Sequence, residues 1–125
     1  MTFTTGLRAL ITLAALALAG QASAGVSCGA STGQAATGAP IIIGGIYADG
    51  APGDWSSSTD AAAAYFACVN ANGGIGGRPI DYRVENDQWA PEAAAQAAAK
   101  LVNDAKAVAL VGNGSFIEMA VNAKT

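Results

Sequence analysis

Three groups of residues in this chain have types and spacing that could do chemistry. Asp49, Asp54 and Trp55 fall in one Gly/Pro-containing stretch. There an acid can meet a ligand's ammonium group, and an aromatic ring can cover a small molecule. The competing reading is a solvated loop with Trp55 packed on its own helix. Gly112-Asn113-Gly114-Ser115-Phe116 follows an apolar run and opens a helical pattern. Backbone N–H groups and the positive end of a helix dipole favour an anionic group there, such as a carboxylate. Phe116 divides between core and pocket wall. Glu85 and Asp87 could pair for acid–base work. However, Glu85 takes an outward strand position, and Asp87 sits in a turn where it can bond backbone N–H groups. Both are expected to be structural. Trp89, beyond the second strand, is expected to serve surface packing or an interlobe contact.

Other chemistries are excluded by what is missing. The chain has no histidine, so it cannot supply a Ser-His-Asp or Cys-His site. Two cysteines and no histidine cannot make a Cys/His zinc site, which takes about four ligands. No metal site is expected. The third glycine of a dinucleotide fingerprint would fall at Ile117 and is absent. No cofactor is expected.

The 125 residues allow one small domain. Arg8, the apolar run from Ala9 to Ala19 broken by Thr12, and Ala22-Ser23-Ala24 read as a secretory signal peptide, residues 1–24, cut after Ala24. The run is too short for a bilayer span of roughly 20 apolar residues. The protein is therefore expected to be periplasmic or secreted. The formal charge is −3, and loss of Arg8 leaves five basic against nine acidic residues. No basic cluster exists, so nucleic acid and anionic membrane are not expected partners. In an exported chain the simplest fate of Cys28 and Cys68 is one disulfide. A lipid anchor on Cys28 is the competitor.

These residues must be positioned by regular elements. Residues 25–39 read as a flexible Gly/Ser/Thr/Ala lead-in. Ile41 to Ile46 is continuously apolar, as in a strand buried on both faces. A loop, Tyr47 to Trp55, leads to a helix ending near Asn72, with Ala62, Tyr65, Phe66 and Val69 on its inner face. Gly73 is its expected C′ residue. Ile80 to Glu85 alternates strictly, with Ile80, Tyr82 and Val84 inward. Pro91 suits the first turn of a second helix, Glu92 to Ala105, whose buried stripe is Ala94, Ala97, Ala98, Leu101 and Val102. Ala107 to Gly112 reads as a second fully buried strand, and a third helix starts near Ser115.

The order is β-α-β-α-β-α, an α/β fold with a parallel sheet and flanking helices. The apolar first and third strands are expected to be central, giving the strand order 2-1-3. Ligands then bind at the switch point between strands one and three. The loops Tyr47–Trp55 and Gly112–Phe116 reach it.

Several stretches, taken in order, resemble a known family. They are Ile41 to Ile46, Val69-Asn70-Ala71-Asn72-Gly73-Gly74-Ile75-Gly76-Gly77-Arg78-Pro79, Asp87 with Pro91 four residues on, Lys100-Leu101-Val102, and Val108 to Gly112. From about Pro40 to Thr125 the chain looks like the N-terminal part of a type I periplasmic binding protein, in the branched-chain amino acid (leucine/isoleucine/valine) class that serves ABC importers. The resemblance implies a two-lobed protein that closes on a ligand and delivers it to a membrane permease. Residues 40–125 would be an incomplete first lobe, unstable alone because its third strand has an open apolar edge.

By that resemblance the chain is the extracytoplasmic substrate-binding component of an ABC importer, not an enzyme. It takes an amino acid or a related small carboxylate or amide. The ligand carboxylate meets Asn113, Gly114, Ser115 and Phe116, while Tyr47, Asp54 and Trp55 line the other wall. The alternative is the ligand-sensing domain of a receptor or regulator with the same fold. Two departures bear on the ligand. Ala48-Asp49-Gly50 replaces the family's Ser/Thr-Gly-Pro turn. Phe116 also stands where amino-acid binders carry a carboxylate-holding serine. Either Ser115, one residue earlier, substitutes for it, or the ligand is not an α-amino acid.

Overall fold

The computed structural model describes residues 27–50 and 52–123, so the expected signal peptide lies outside the described residues. The chain runs through β1 (Ile41–Tyr47), α1 (Ser57–Ala71), β2 (Ile80–Asn86), α2 (Pro91–Ala99), a π-helical turn (Lys100–Asp104) and α3 (Phe116–Asn122). β1 and β2 pair in parallel, from Ile41 opposite Ile80 to Tyr47 opposite Asn86. This is an α/β arrangement, a parallel sheet flanked by helices.

Continuous apolarity in β1 reflects burial on both faces. On one face Ile43 joins Ile80, Val69 and Cys28 in a core completed by Phe66 and Tyr82. On the other, Ile46 packs with Ala97 and Leu101. Alanines let α2 lie close to the sheet, and Leu101, 1% exposed, fills the remaining depth.

The inner face of α1 differs from expectation at one residue. Thr59 and Val69 are buried and Ala62 and Phe66 half-buried, but Tyr65 is 54% exposed. Thr59 takes the inner position one turn earlier, its hydroxyl satisfied by the Ser56 carbonyl at 2.7 Å. α1 ends where predicted. Gly73 and Gly74 both have positive φ, and the Gly74 N–H reaches back to the Val69 carbonyl at 2.8 Å, closing the last turn. Asn70 then ties α1 to β2, exchanging bonds with the Ile80 N–H at 2.6 Å and its carbonyl at 2.8 Å.

The lead-in, read from composition as flexible, is fastened along this joint. The amides of Thr32 and Ala36 donate to the carbonyls of Asn72 and Asn70. The Arg78 guanidinium donates to the carbonyls of Ala39 and Pro40. Cys28 and Cys68 are disulfide-bonded, with Cα atoms 6.0 Å apart.

Two expectations are corrected. The second helix is α-helical only to Ala99, and a π-turn follows. The wider turn rotates the register, so Leu101 stays inside while Val102, expected in the buried stripe, is 47% exposed. The third strand, Ala107–Gly112, does not form a continuous strand. Residues 108–114 nonetheless lie along β1, with backbone bonds from Val108 to Ile42, Gly44 to Ala109, Val111 to Gly44 and Gly114 to Ile46, and parallel bridges pairing Gly44 with Leu110 and Tyr47 with Gly114. The regular sheet has two strands, β1 and β2, and does not show the order 2-1-3. Backbone turns at Lys106 and Gly112, both at positive φ, bound the segment. Val108 is 73% exposed. An apolar strand is buried throughout only where neighbours cover both its faces and its free edge.

Tyr82 links β2 to this third segment, its hydroxyl donating to the Val111 carbonyl at 2.7 Å. Burial, and then the Asp60 charge, push its pKa above the ordinary 10.0. The folded state holds this proton more tightly than the unfolded chain. Stability from this group is therefore fully present below the ordinary value and is lost as pH rises through the raised one. Tyr82→Phe should cost about 1 kcal/mol at neutral pH through the lost hydrogen bond. It should also flatten the alkaline fall in stability, measured by urea melts at about pH 8 and 11.

Candidate functional site

The site is built where β1 and the third segment end. β1 runs out at Tyr47, and a loop leads on to α1. The Trp55 N–H bonds the Ala48 carbonyl at 2.8 Å, which draws the two ends of that loop together. Asp54 accepts from the Ser56 N–H at 2.8 Å, and the Ser56 hydroxyl donates to Asp60 at 3.1 Å. Local Asx chemistry thus sets the entry into α1.

Residues 112–116 come in beside it. The Gly114 N–H bonds the Ile46 carbonyl, and the Asn113 side-chain oxygen accepts the Ile46 N–H at 3.1 Å. The Ser58 hydroxyl donates to the Gly112 carbonyl at 2.7 Å. Gly114 must be glycine for space: a Cβ there would overlap the Trp55 carbonyl oxygen and come within 2.7 Å of Ser58 Oγ. Gly114→Ala should lower unfolding free energy by about 2 kcal/mol, read from a denaturant melt, because neither neighbour is a free side-chain end.

Ser115 is 1% exposed. Its hydroxyl donates to Asp87 Oδ2 and accepts the Glu118 N–H at 3.1 Å, capping α3. Asp87, 0% exposed, uses its other oxygen to accept the Trp89 N–H at 3.0 Å. Trp89 Nε1 donates to the Gly53 carbonyl at 2.9 Å.

The result is two open clefts, lined by alternate members of the stretch 54–58: Asp54 and Ser56 face one, Trp55, Ser57 and Ser58 the other. One, of about 370 Å³, is lined by Tyr47, Asp49, Asp54, Asp60 and Val84 among others. Three carboxylates and no basic residue line it, so its field favours a cationic group. The other, of about 200 Å³, is lined by Trp55, Asn113, Gly114, Ser115, Phe116 and Met119 among others. Its rings stack edge-on, with Trp55 5.0 Å from Phe116 and 6.1 Å from Trp89 between centroids. Among the described residues no group of three or more His, Cys, Asp or Glu could hold a metal ion. None of the described helices is long and apolar enough to cross a membrane.

A family model described as "Periplasmic binding protein" matches residues 40–125, more than two thirds of the chain. The chain belongs to the periplasmic binding protein family. The match supports the type I class. No curated protein and no solved structure matches the chain. As a periplasmic binding protein it has a solute-binding role, with a small molecule as its partner.

Of this binding protein's expected site residues, Trp55, Asn113, Gly114, Ser115 and Phe116 share one cleft, while Tyr47 and Asp54 line the other. The Asn113 side-chain oxygen and the Ser115 hydroxyl are engaged in internal bonds. Phe116, 57% exposed, stands as a wall. Trp89 lines neither cleft and packs edge-on on Trp55, whereas the buried Asp87–Ser115 contact was not expected from the sequence. Glu118, 5% exposed, was also missed. Its signal was available as Ser115-x-x-Glu118, a helix-start motif.

Proposed function

We propose that this protein is the extracytoplasmic substrate-binding component of an ABC importer. It would deliver an amino acid, or a related small carboxylate or amide, to a membrane permease. Binding does the work, and no bond is made or broken. The observation that carries this reading is the pairing of an acidic cleft with an aromatic one at the ends of β1 and the third segment. A ligand ammonium or amide N–H group is taken by Asp54 beside Tyr47. The apolar body lies on Trp55 and Phe116, and the carboxylate lies toward residues 113–116. Because the Ser115 hydroxyl is already bonded, recognition there falls to backbone groups. That favours the departure from α-amino acids noted in the sequence.

The test is a thermal-shift panel of branched-chain amino acids, aromatic acids and amides. A shift with any of these supports the binding reading. A shift with aromatic acids and none with leucine overturns branched-chain specificity alone. No shift across the panel overturns the ligand class. Trp55 is 45% exposed. Trp55→Ala should lower the ligand-free stability by about 1–2 kcal/mol through its two ring contacts and weaken the responding ligand about tenfold, measured by titration on the folded variant.

A further inference from the structure

Asp87 is not a wall of either cleft, yet both walls hang from it. Its Oδ1 accepts the Trp89 N–H at 3.0 Å, and Trp89 Nε1 in turn holds the Gly53 carbonyl at 2.9 Å. That arm fixes the loop carrying Trp55. Its Oδ2 accepts the Ser115 hydroxyl, which caps the helix carrying Phe116. The backbone joins in: the Asp87 N–H donates to the Tyr47 carbonyl at 2.9 Å, at the end of β1.

The turn is held at a conformational cost. Gln88 and Trp89, neither a glycine, both have positive φ, 52° and 59°. Such residues persist where surrounding contacts over-determine them, and they cluster at functional sites. Here the strain turns the Trp89 ring back over the loop, to meet Trp55 edge-on. The Gln88 N–H to Asn86 Oδ1 and the Ala90 N–H to the Asp87 carbonyl, both at 2.8 Å, hold the turn itself, and the Asp87 carboxylate is what links it to Ser115 and α3.

We infer that Asp87 is the positioning residue of the candidate site, setting the spacing of Trp55 and Phe116 through one carboxylate. The inference rests on the proposed site for its relevance to ligand, but its test does not. Both tryptophans of the chain stand in this cluster. Their near-ultraviolet circular dichroism therefore reports its rigidity without any ligand. In Asp87→Ala, kept cold enough to retain native far-ultraviolet signal, the tryptophan near-ultraviolet signal should fall to about half or less. Asp87→Asn keeps an oxygen for the Trp89 N–H and should restore most of it. If Asp87→Ala does not fold, Ser115→Ala carries the test, since it cuts the arm to α3, cap included, and leaves the Trp89 arm in place. A partial loss is then expected. An unchanged tryptophan spectrum in folded Asp87→Ala, or in Ser115→Ala where it is the variant used, would overturn the inference. A silent ligand panel beside a collapsed tryptophan signal would overturn the ligand reading and leave the positioning role standing.

Discussion

Replacing Cys28 and Cys68 together by serine should lower the free energy of unfolding by about 4 kcal/mol. The bridge spans 40 residues of sequence, and a loop of that length loses about that much chain entropy in the unfolded state when closed. Packing adds to it. Cys28 is 2% exposed and belongs to the core under α1. The Asn72 side-chain nitrogen sits 3.3 Å from its sulfur and 3.0 Å from the Cys68 carbonyl. The lead-in otherwise holds α1 by a few backbone bonds, so it should detach first, exposing residues 29–38 to protease. Urea melts with and without reductant measure the effect. A loss under about 1 kcal/mol would mean that the unfolded chain is not constrained by this bridge.

Asp87→Ala is the second large effect, with an expected loss of about 3 kcal/mol. It strips two buried donors of their acceptor at once, the Trp89 N–H and the Ser115 hydroxyl. Each unsatisfied group costs about 1–3 kcal/mol, and some of that is recovered by local relaxation. Asp87→Asn preserves volume and one acceptor, so its loss should be nearer 1 kcal/mol. Equal losses for the two variants, by denaturant melts, would assign the effect to volume rather than to the hydrogen bonds.

The parts of the fold legible in the sequence were those written in local chemistry. The glycines from Gly73 to Gly77 announce the end of α1, and the positive φ at Gly73 and Gly74 is the reason. Strict alternation in Ile80–Glu85 marked β2. Ile80 and Tyr82 do face the core, but Val84 is 37% exposed because α1 does not cover the far end of the strand. Composition and periodicity also found the small-residue helix α2. They could not find the π-turn, since one extra residue per turn leaves no mark on an alanine-rich pattern.

The candidate site was legible as two loops but not as a network. Asp54, Trp55 and Phe116 were visible by type and position. The packing of Trp89 on Trp55 was not, because it depends on a strained turn at Gln88–Trp89 that no propensity predicts. Nor could spacing show that Ser115 turns inward to Asp87, 28 residues away, rather than outward to ligand. The third segment reads as a buried strand from its valines and leucine. Its burial, however, depends on neighbours that the stretch itself does not encode.

The most direct measurement of the central claim is calorimetric titration of the protein with each responder from the ligand panel, with the ligand recovered and analysed afterwards. A solute-binding role predicts one saturable site per chain, affinity weakened about tenfold by Trp55→Ala, and ligand recovered chemically unchanged. Absence of saturable binding, affinity indifferent to Trp55, or a ligand recovered as product would contradict it.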